Sequence, residues 1–164
     1  MAFGTGSHAT TRGCMEFIEQ AVASFRGRQF DALDVGTGSG ILAIALVKLG
    51  ARRVCALDLD PVALKAAREN LRSNDAEQKI QLSETKVSRL RSSFSLVAAN
   101  LTAEVILNLA DGLTKRVAPE GLLILSGILN TKAKTVINAL TASGFRVVRR
   151  KREKEWLTLL LKRR

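Results

Sequence analysis

One ten-residue segment constrains this chain more than any other: Leu33-Asp34-Val35-Gly36-Thr37-Gly38-Ser39-Gly40-Ile41-Leu42. The apolar run from Phe30 to Val35 reads as a buried strand, and the alternating glycines that follow turn it into a helix. Glycine at such a turn lets the backbone meet a ligand without Cβ obstruction, although glycines at a tight turn also serve packing alone. A strand, a glycine loop and a helix in succession belong to parallel βαβ construction. No Lys-Ser or Lys-Thr follows the glycines, so the loop is not the phosphate-cradling P-loop. A dinucleotide fingerprint would prefer Gly or Ala where Ile41 stands.

The rest of the chain alternates in the same way. Phe17, Ile18, Ala21, Val22 and Phe25 recur at helical spacing and predict a first helix over about 10–25. The second helix ends near Gly50, a left-handed cap, and Arg53 to Leu57 is the next strand. Asp60 before Pro61 marks a helix start, with a carboxylate for free amides and proline at the first helical position; that helix runs to about Leu71. Strands are expected at Lys79 to Leu82, Ser95 to Ala99 and Gly121 to Leu125. A helix over Val105 to Val117 is interrupted by Gly112 and ended by Pro119, and another, capped by Asn130 or Thr131, reaches Ala142 with Gly144 as terminator. Phe145 to Arg150 and Glu155 to Leu161 are joined by a turn too short for a crossover helix, so they must pair antiparallel. The expected fold is α/β: one domain with a seven-stranded, mostly parallel sheet, a C-terminal antiparallel hairpin and helices on both faces.

Composition removes several classes. An apolar fraction of 46% and a charged fraction of 25% suit a globular chain of 164 residues. The longest wholly apolar run, Ile41 to Val47, is far short of the ~20 residues a membrane helix needs, and the amino terminus lacks the layout of a signal peptide. Two cysteines, Cys14 and Cys55, exclude a disulfide framework and a four-cysteine zinc site, and point to a reducing cytoplasm. Charge is the unusual property. The net value is +11, and the last 19 residues hold nine basic side chains and two acids. Such a tail is either a solvated hairpin face or a surface with weak affinity for anions such as RNA.

Two polar residues stand where a ligand of this fold would lie. Asp58, 22 residues beyond Gly36, follows the second strand, where an ionised carboxylate can accept both hydroxyl hydrogens of a ribose. Asp60 is explained as a cap. Asn100 follows the fourth strand, where its amide either meets a substrate amine or caps the helix starting near Thr102.

Together Asp34-x-Gly36-x-Gly38-x-Gly40, Asp58 and Asn100 resemble the class I S-adenosylmethionine-dependent methyltransferases, a Rossmann-like fold. More specifically, Ala2-Phe3-Gly4-Thr5-Gly6-Ser7-His8-Ala9-Thr10-Thr11, Gly38 to Ala45, Ala99-Asn100-Leu101 and Leu125-Ser126-Gly127-Ile128-Leu129 resemble, in order, the blocks of the ribosomal protein L-eleven methyltransferases. The chain departs from that pattern at Ala9 (usually Pro), Thr37 (usually Cys) and Asn100-Leu101-Thr102-Ala103 (usually Asn-Ile-Leu-Ala). Full-length members carry a substrate-recognition domain before the opening block, which here begins at residue 3, so the expectation is one methyltransferase domain over 1–164 without it.

The resemblance implies methyl transfer from S-adenosylmethionine to a lysine or terminal amine of a ribosomal protein, leaving S-adenosylhomocysteine. It implies cofactor contacts from Thr11, Asp34, Gly36, Gly38, Gly40, Asp58 and Asn100. Asn100 would also be catalytic, positioning the amine together with the Leu101 carbonyl. Neither a metal nor an acid–base triad is expected, since oriented proximity can supply ~7–11 kcal/mol. His8, the sole histidine, is read as a loop-ordering residue. Two alternatives stay open: an RNA methyltransferase gripping phosphate with the basic hairpin, and a cofactor-binding remnant without activity.

Overall fold

The computed structural model describes residues 6–164, so positions 2–5 of the opening block lie outside the described residues. The elements follow the order α1 (Ala9–Ser24), β1 (Asp31–Val35), α2 (Ile41–Lys48), β2 (Arg53–Leu57), α3 (Pro61–Ser73), β3 (Ile80–Ser83), β4 (Phe94–Asn100), α4 (Ala103–Arg116), β5 (Val117–Leu129), α5 (Ala133–Ala142), β6 (Phe145–Glu153) and β7 (Trp156–Arg163). The seven strands lie in the order β3-β2-β1-β4-β5-β7-β6. All pairings from β3 through β5 are parallel, whereas β7 runs antiparallel to both β5 and β6. From β1 the chain first builds outward to β3 and then returns to β4. That reversal leaves a crevice beyond the carboxyl ends of β1 and β4.

Alternation along the strands divides the core into two layers. Val97, Ala99, Leu123 and Leu125 face Ile106 and Leu113 of α4 and Val136 and Leu140 of α5. Leu96, Ala98, Leu122 and Ile124 face Phe17 and Ile18 of α1, Leu42 and Leu46 of α2, and Leu71 of α3. Helices therefore cover both faces, as the sequence predicts. Alanines at 32, 56 and 98 line the second face, leaving room for α1 and α2 to approach the strands closely.

Several expectations are corrected. Gly112 does not interrupt α4; a Cβ there would lie 2.9 Å from Val87 Cγ1, so glycine admits a neighbouring turn rather than breaking the helix. Pro119 does not mark the end of that helix, which stops at Arg116. Proline sits instead in an irregular start to β5, where pairing with β4 skips from Val117 to Leu122 and Glu120 adopts φ +61°. Neither Asn130 nor Thr131 caps α5. Both belong to a single 3-10 turn, and the Asn130 main-chain and side-chain N–H groups donate to Glu155 O and Lys154 O, both at 2.8 Å. The hairpin turn captured a side chain that local reading assigned to the helix. Gly144, at φ +89°, does terminate α5, and Asp60 caps α3 by accepting from the Val62 amide at 2.9 Å.

Candidate active site

The parallel strands end in step: Val35 lies opposite both Leu57 and Ala99, and Asn100 opposite Ser126. Gly36, Asp58, Asn100 and Gly127 therefore stand at one edge of the sheet. Gly36 adopts φ +74°, and its amide and that of Thr37 both donate to Leu57 O, at 2.8 and 2.9 Å. A Cβ on Gly36 would lie 2.5 Å from Leu101 Cδ2. Gly38, at φ +55°, donates its amide to Asp58 Oδ2 at 2.9 Å, while the Asp60 amide donates to Asp58 Oδ1 at 3.0 Å. One carboxylate thus ties the glycine loop to the start of α3, and each oxygen keeps a second acceptor site. Gly40, the N-cap of α2, packs at φ +83° under α3, where a Cβ would be 3.1 Å from Leu71.

At β4 the two readings of Asn100 separate. Thr102, not Asn100, caps α4, accepting from the Val105 amide at 3.4 Å. Asn100 Nδ2 donates to Thr10 Oγ1 at 3.3 Å, and Asn100 Oδ1 is buried without a hydrogen-bond partner among the described residues. Thr10 Oγ1 in turn lies 2.8 Å from His8 Nδ1, which caps α1 by accepting the Thr10 amide at 3.3 Å. His8 orders the first turn of α1, and its ring meets Trp156 edge-on at 5.5 Å. The Leu101 amide donates to Ser126 O at 3.0 Å. Gly127, at φ +80°, lies so close that a Cβ would collide with the Leu101 carbonyl.

Two adjoining cavities open along this edge. One of about 270 Å³ is lined by Gly36, Gly38, Asp58, Asn100, Leu101 and Gly127, among others. The second, about 430 Å³, shares Gly36, Asp58 and Leu101 and adds an apolar wall of Leu59, Val87 and Leu109. Leu59 is 63% exposed, an unburied leucine at the mouth of a concave surface. Four of the predicted residues, Gly36, Gly38, Asp58 and Asn100, share the smaller cavity; Thr11, Asp34 and Gly40 are not on its walls. Sequence reading missed the apolar wall and Thr10. No motif marks the wall, and a threonine two residues after a capping histidine signals only a helix start.

Asp34 is buried beneath the loop it anchors, accepting from Thr37 Oγ1 at 2.7 Å. Burial pushes its carboxyl up to about 6; the Thr37 hydroxyl and Ala43 amide oppose this, and the Asp58 charge adds to it. Among the described residues its Oδ1 has no partner at hydrogen-bond geometry, despite the influence of the Ala43 amide, and Thr11 Oγ1 is likewise buried without one. Burial also pushes both cysteine thiols up, so neither is an activated nucleophile. Among the described residues no cluster of three or more metal-ligating side chains forms. The site therefore offers hydrogen-bond acceptors beside an apolar wall, suited to a ligand with hydroxyl hydrogens and an apolar portion.

The basic hairpin is partly neutralised. Lys151 pairs with Glu16 at 2.5 Å and Glu153 at 3.4 Å, Arg12 also pairs with Glu153, and Lys162 pairs with Glu120 at 2.8 Å. Among the described residues no helix is long and apolar enough to cross a membrane.

Comparison with known proteins gives concordant matches. A model of the family described as Ribosomal protein L11 methyltransferase (PrmA) matches residues 1–164. Proteins named ribosomal protein L11 methyltransferase from Geobacter metallireducens and Geotalea uraniireducens are 47% and 43% identical, over 98% and 97% of this chain. The chain spans about half the length of these curated relatives, 51% and 53% respectively. A crystal structure of ribosomal protein L11 methylase from Lactobacillus delbrueckii subsp. bulgaricus superposes with a TM-score of 0.86 at 32% identity, covering 97% of this chain and 81% of that one. A magnesium protoporphyrin IX methyltransferase from Synechocystis PCC 6803 with bound SAM shares the fold at 17% identity and a TM-score of 0.74, covering 99% and 88%.

Proposed function

Because the chain belongs to the ribosomal protein L11 methyltransferase family, we propose that it transfers a methyl group from S-adenosylmethionine to a lysine or terminal amine of a ribosomal protein. The observation that carries this reading is the shared wall of Gly36, Gly38, Asp58 and Asn100 at the reversal of strand order. The donor set fits such a cofactor. Asp58 would accept the ribose hydroxyls while still holding Gly38, and Leu59, Val87 and Leu109 would flank the adenine. Gly36 brings main chain to the ligand where a side chain would meet Leu101. Thr11 and Asp34 each hold a buried oxygen without a partner among the described residues, and Gly40 shapes the loop from behind.

When bound, the cofactor would supply an electrophilic methyl on a sulfonium that leaves without needing a proton or a metal. The chain's task is then to hold a neutral amine in line and keep water away. Asn100 Oδ1 would accept a hydrogen from that amine, with the Leu101 carbonyl beside it. We read 1–164 as one methyltransferase domain, and free, high-pKa thiols suit a reducing cytoplasm. An RNA acceptor is the weaker reading, because ion pairs to α1 and β5 occupy part of the basic hairpin and the relatives are named for a ribosomal protein.

Calorimetric titration with S-adenosylhomocysteine, followed by transfer of labelled methyl to isolated ribosomal protein or to ribosomal RNA, tests the proposal. Binding of the homocysteine product with label on protein is expected. Tighter binding of NAD would overturn the cofactor assignment, label on RNA the acceptor, and binding without any transfer would leave a cofactor-binding module.

A further inference from the structure

We infer that Thr10, oriented by His8, is a positioning residue that holds the Asn100 side-chain amide with its oxygen available to the acceptor amine. The inference rests on the methyl-transfer reading of the cleft, and its argument is one of hydrogen-bond polarity. The Thr10 main-chain N–H lies 3.3 Å from His8 Nδ1, and a main-chain N–H can only donate, so Nδ1 carries no proton. The Thr10 hydroxyl, 2.8 Å from that same nitrogen, must then give its only hydrogen to it. Oγ1 is left able only to accept. Asn100, 3.3 Å away, therefore has to present Nδ2 to Thr10, and its Oδ1 remains buried with no donor among the described residues.

Amide orientation matters to the proposed chemistry. An amine that donates a hydrogen to Oδ1 keeps its lone pair for attack on the methyl carbon. An amide turned the other way would donate to the amine and engage that lone pair, disabling the nucleophile. Nothing next to Asn100 in sequence chooses between the two orientations. The choice comes from α1, whose Thr10 is fully buried and whose cap is a histidine acceptor. Trp156 of β7, edge-on to the His8 ring, supports the relay at its far end.

The test uses the full chain with Thr10→Val, which keeps shape and removes the hydroxyl, and with Thr10→Ser and His8→Asn, which keep the polarity. Side-chain amide NMR should show the Asn100 resonances of Thr10→Val displaced and their protons exchanging faster with water, with both conservative variants close to the parent. In methyl transfer, Thr10→Val should lower kcat at least tenfold while the donor KM moves less than threefold, and Thr10→Ser should recover most of the loss. An unmoved Asn100 resonance in Thr10→Val overturns the inference. So does a loss of donor affinity in parallel with kcat, which would mark a merely structural role. If the parent itself transfers no methyl, the proposed function fails, and the Asn100 resonances still decide this inference.

Discussion

The two halves of the cleft are built by different means. On the β1–β2 side, the critical bonds join neighbours in sequence or in one βαβ unit: Thr37 to Asp34, Gly38 to Asp58, Asp60 to Asp58. On the β4–β5 side, Asn100 is held by Thr10, 90 residues away, and Ser126 by Thr158, 32 residues away, with hydroxyl oxygens 2.7 Å apart. Gly13 lets α1 press directly on Thr158, where any Cβ would collide. The first half is a local motif; the second exists only once α1, β5 and β7 have assembled. Leu101 joins them, with its side chain against Gly36 and its backbone against Gly127.

The sharpest way to break this arrangement is at the two glycines around Leu101. Gly127→Ala places a side chain at positive φ against an immovable carbonyl and should cost about 3–4 kcal/mol, combining left-handed strain with overpacking. Gly36→Ala meets only the end of the Leu101 side chain and should cost about 2 kcal/mol. In a double-mutant cycle by urea denaturation, Leu101→Ala should recover part of the Gly36 loss and none of the Gly127 loss. Equal recovery in both would refute this division of contacts.

Next in size is Asp34, on the local side. Its carboxyl titrates near 6 when folded against 3.8 ordinarily, so between those values the folded chain binds the extra proton. Stability should therefore fall as pH rises from about 4 to 6, by roughly 3 kcal/mol from this group alone. The groups held low, Asp31, Glu120 and Glu153, act in the opposite sense and at lower pH. Asp34→Asn should melt higher than the parent at pH 7 and lose that advantage at pH 4. A pH-independent difference in melting temperature would contradict the buried-carboxyl account.

Asp58 and Asp60 sharpen the comparison within one turn. Asp58→Ala removes a charge-assisted acceptor, with such bonds contributing ~1.5–3 kcal/mol each, and should weaken S-adenosylhomocysteine binding at least tenfold. Asp60→Ala removes only the α3 cap, costing ~0.5–2 kcal/mol of stability, and should leave affinity within threefold. Comparable affinities by calorimetry would take Asp58 out of the site. The smallest effect is expected from Lys151→Ala. Its pairs with Glu16 and Glu153 are at the surface, so chemical denaturation should register a loss below ~1 kcal/mol.

The sequence by itself determined the parallel sheet, its antiparallel finish, the tight glycine turn after β1 and the helix cap at Asp60. Each of these depends on signals within a few residues: glycine where only glycine is unstrained, Asp-Pro at a helix start, a turn too short for a crossover. Tertiary structure alone decided the roles that local chemistry leaves degenerate. Asparagine after a strand can cap or reach inward, and Thr102 took the cap while α1 supplied a partner for the amide. Gly112 looked like a helix breaker and proved to be a packing site for Val87, and Asn130 was drawn from α5 to the Lys154 turn. At both asparagines the side chain has two bonding options of similar local strength. The choice falls to whichever distant element buries it, and that contact has no signature in the residues on either side.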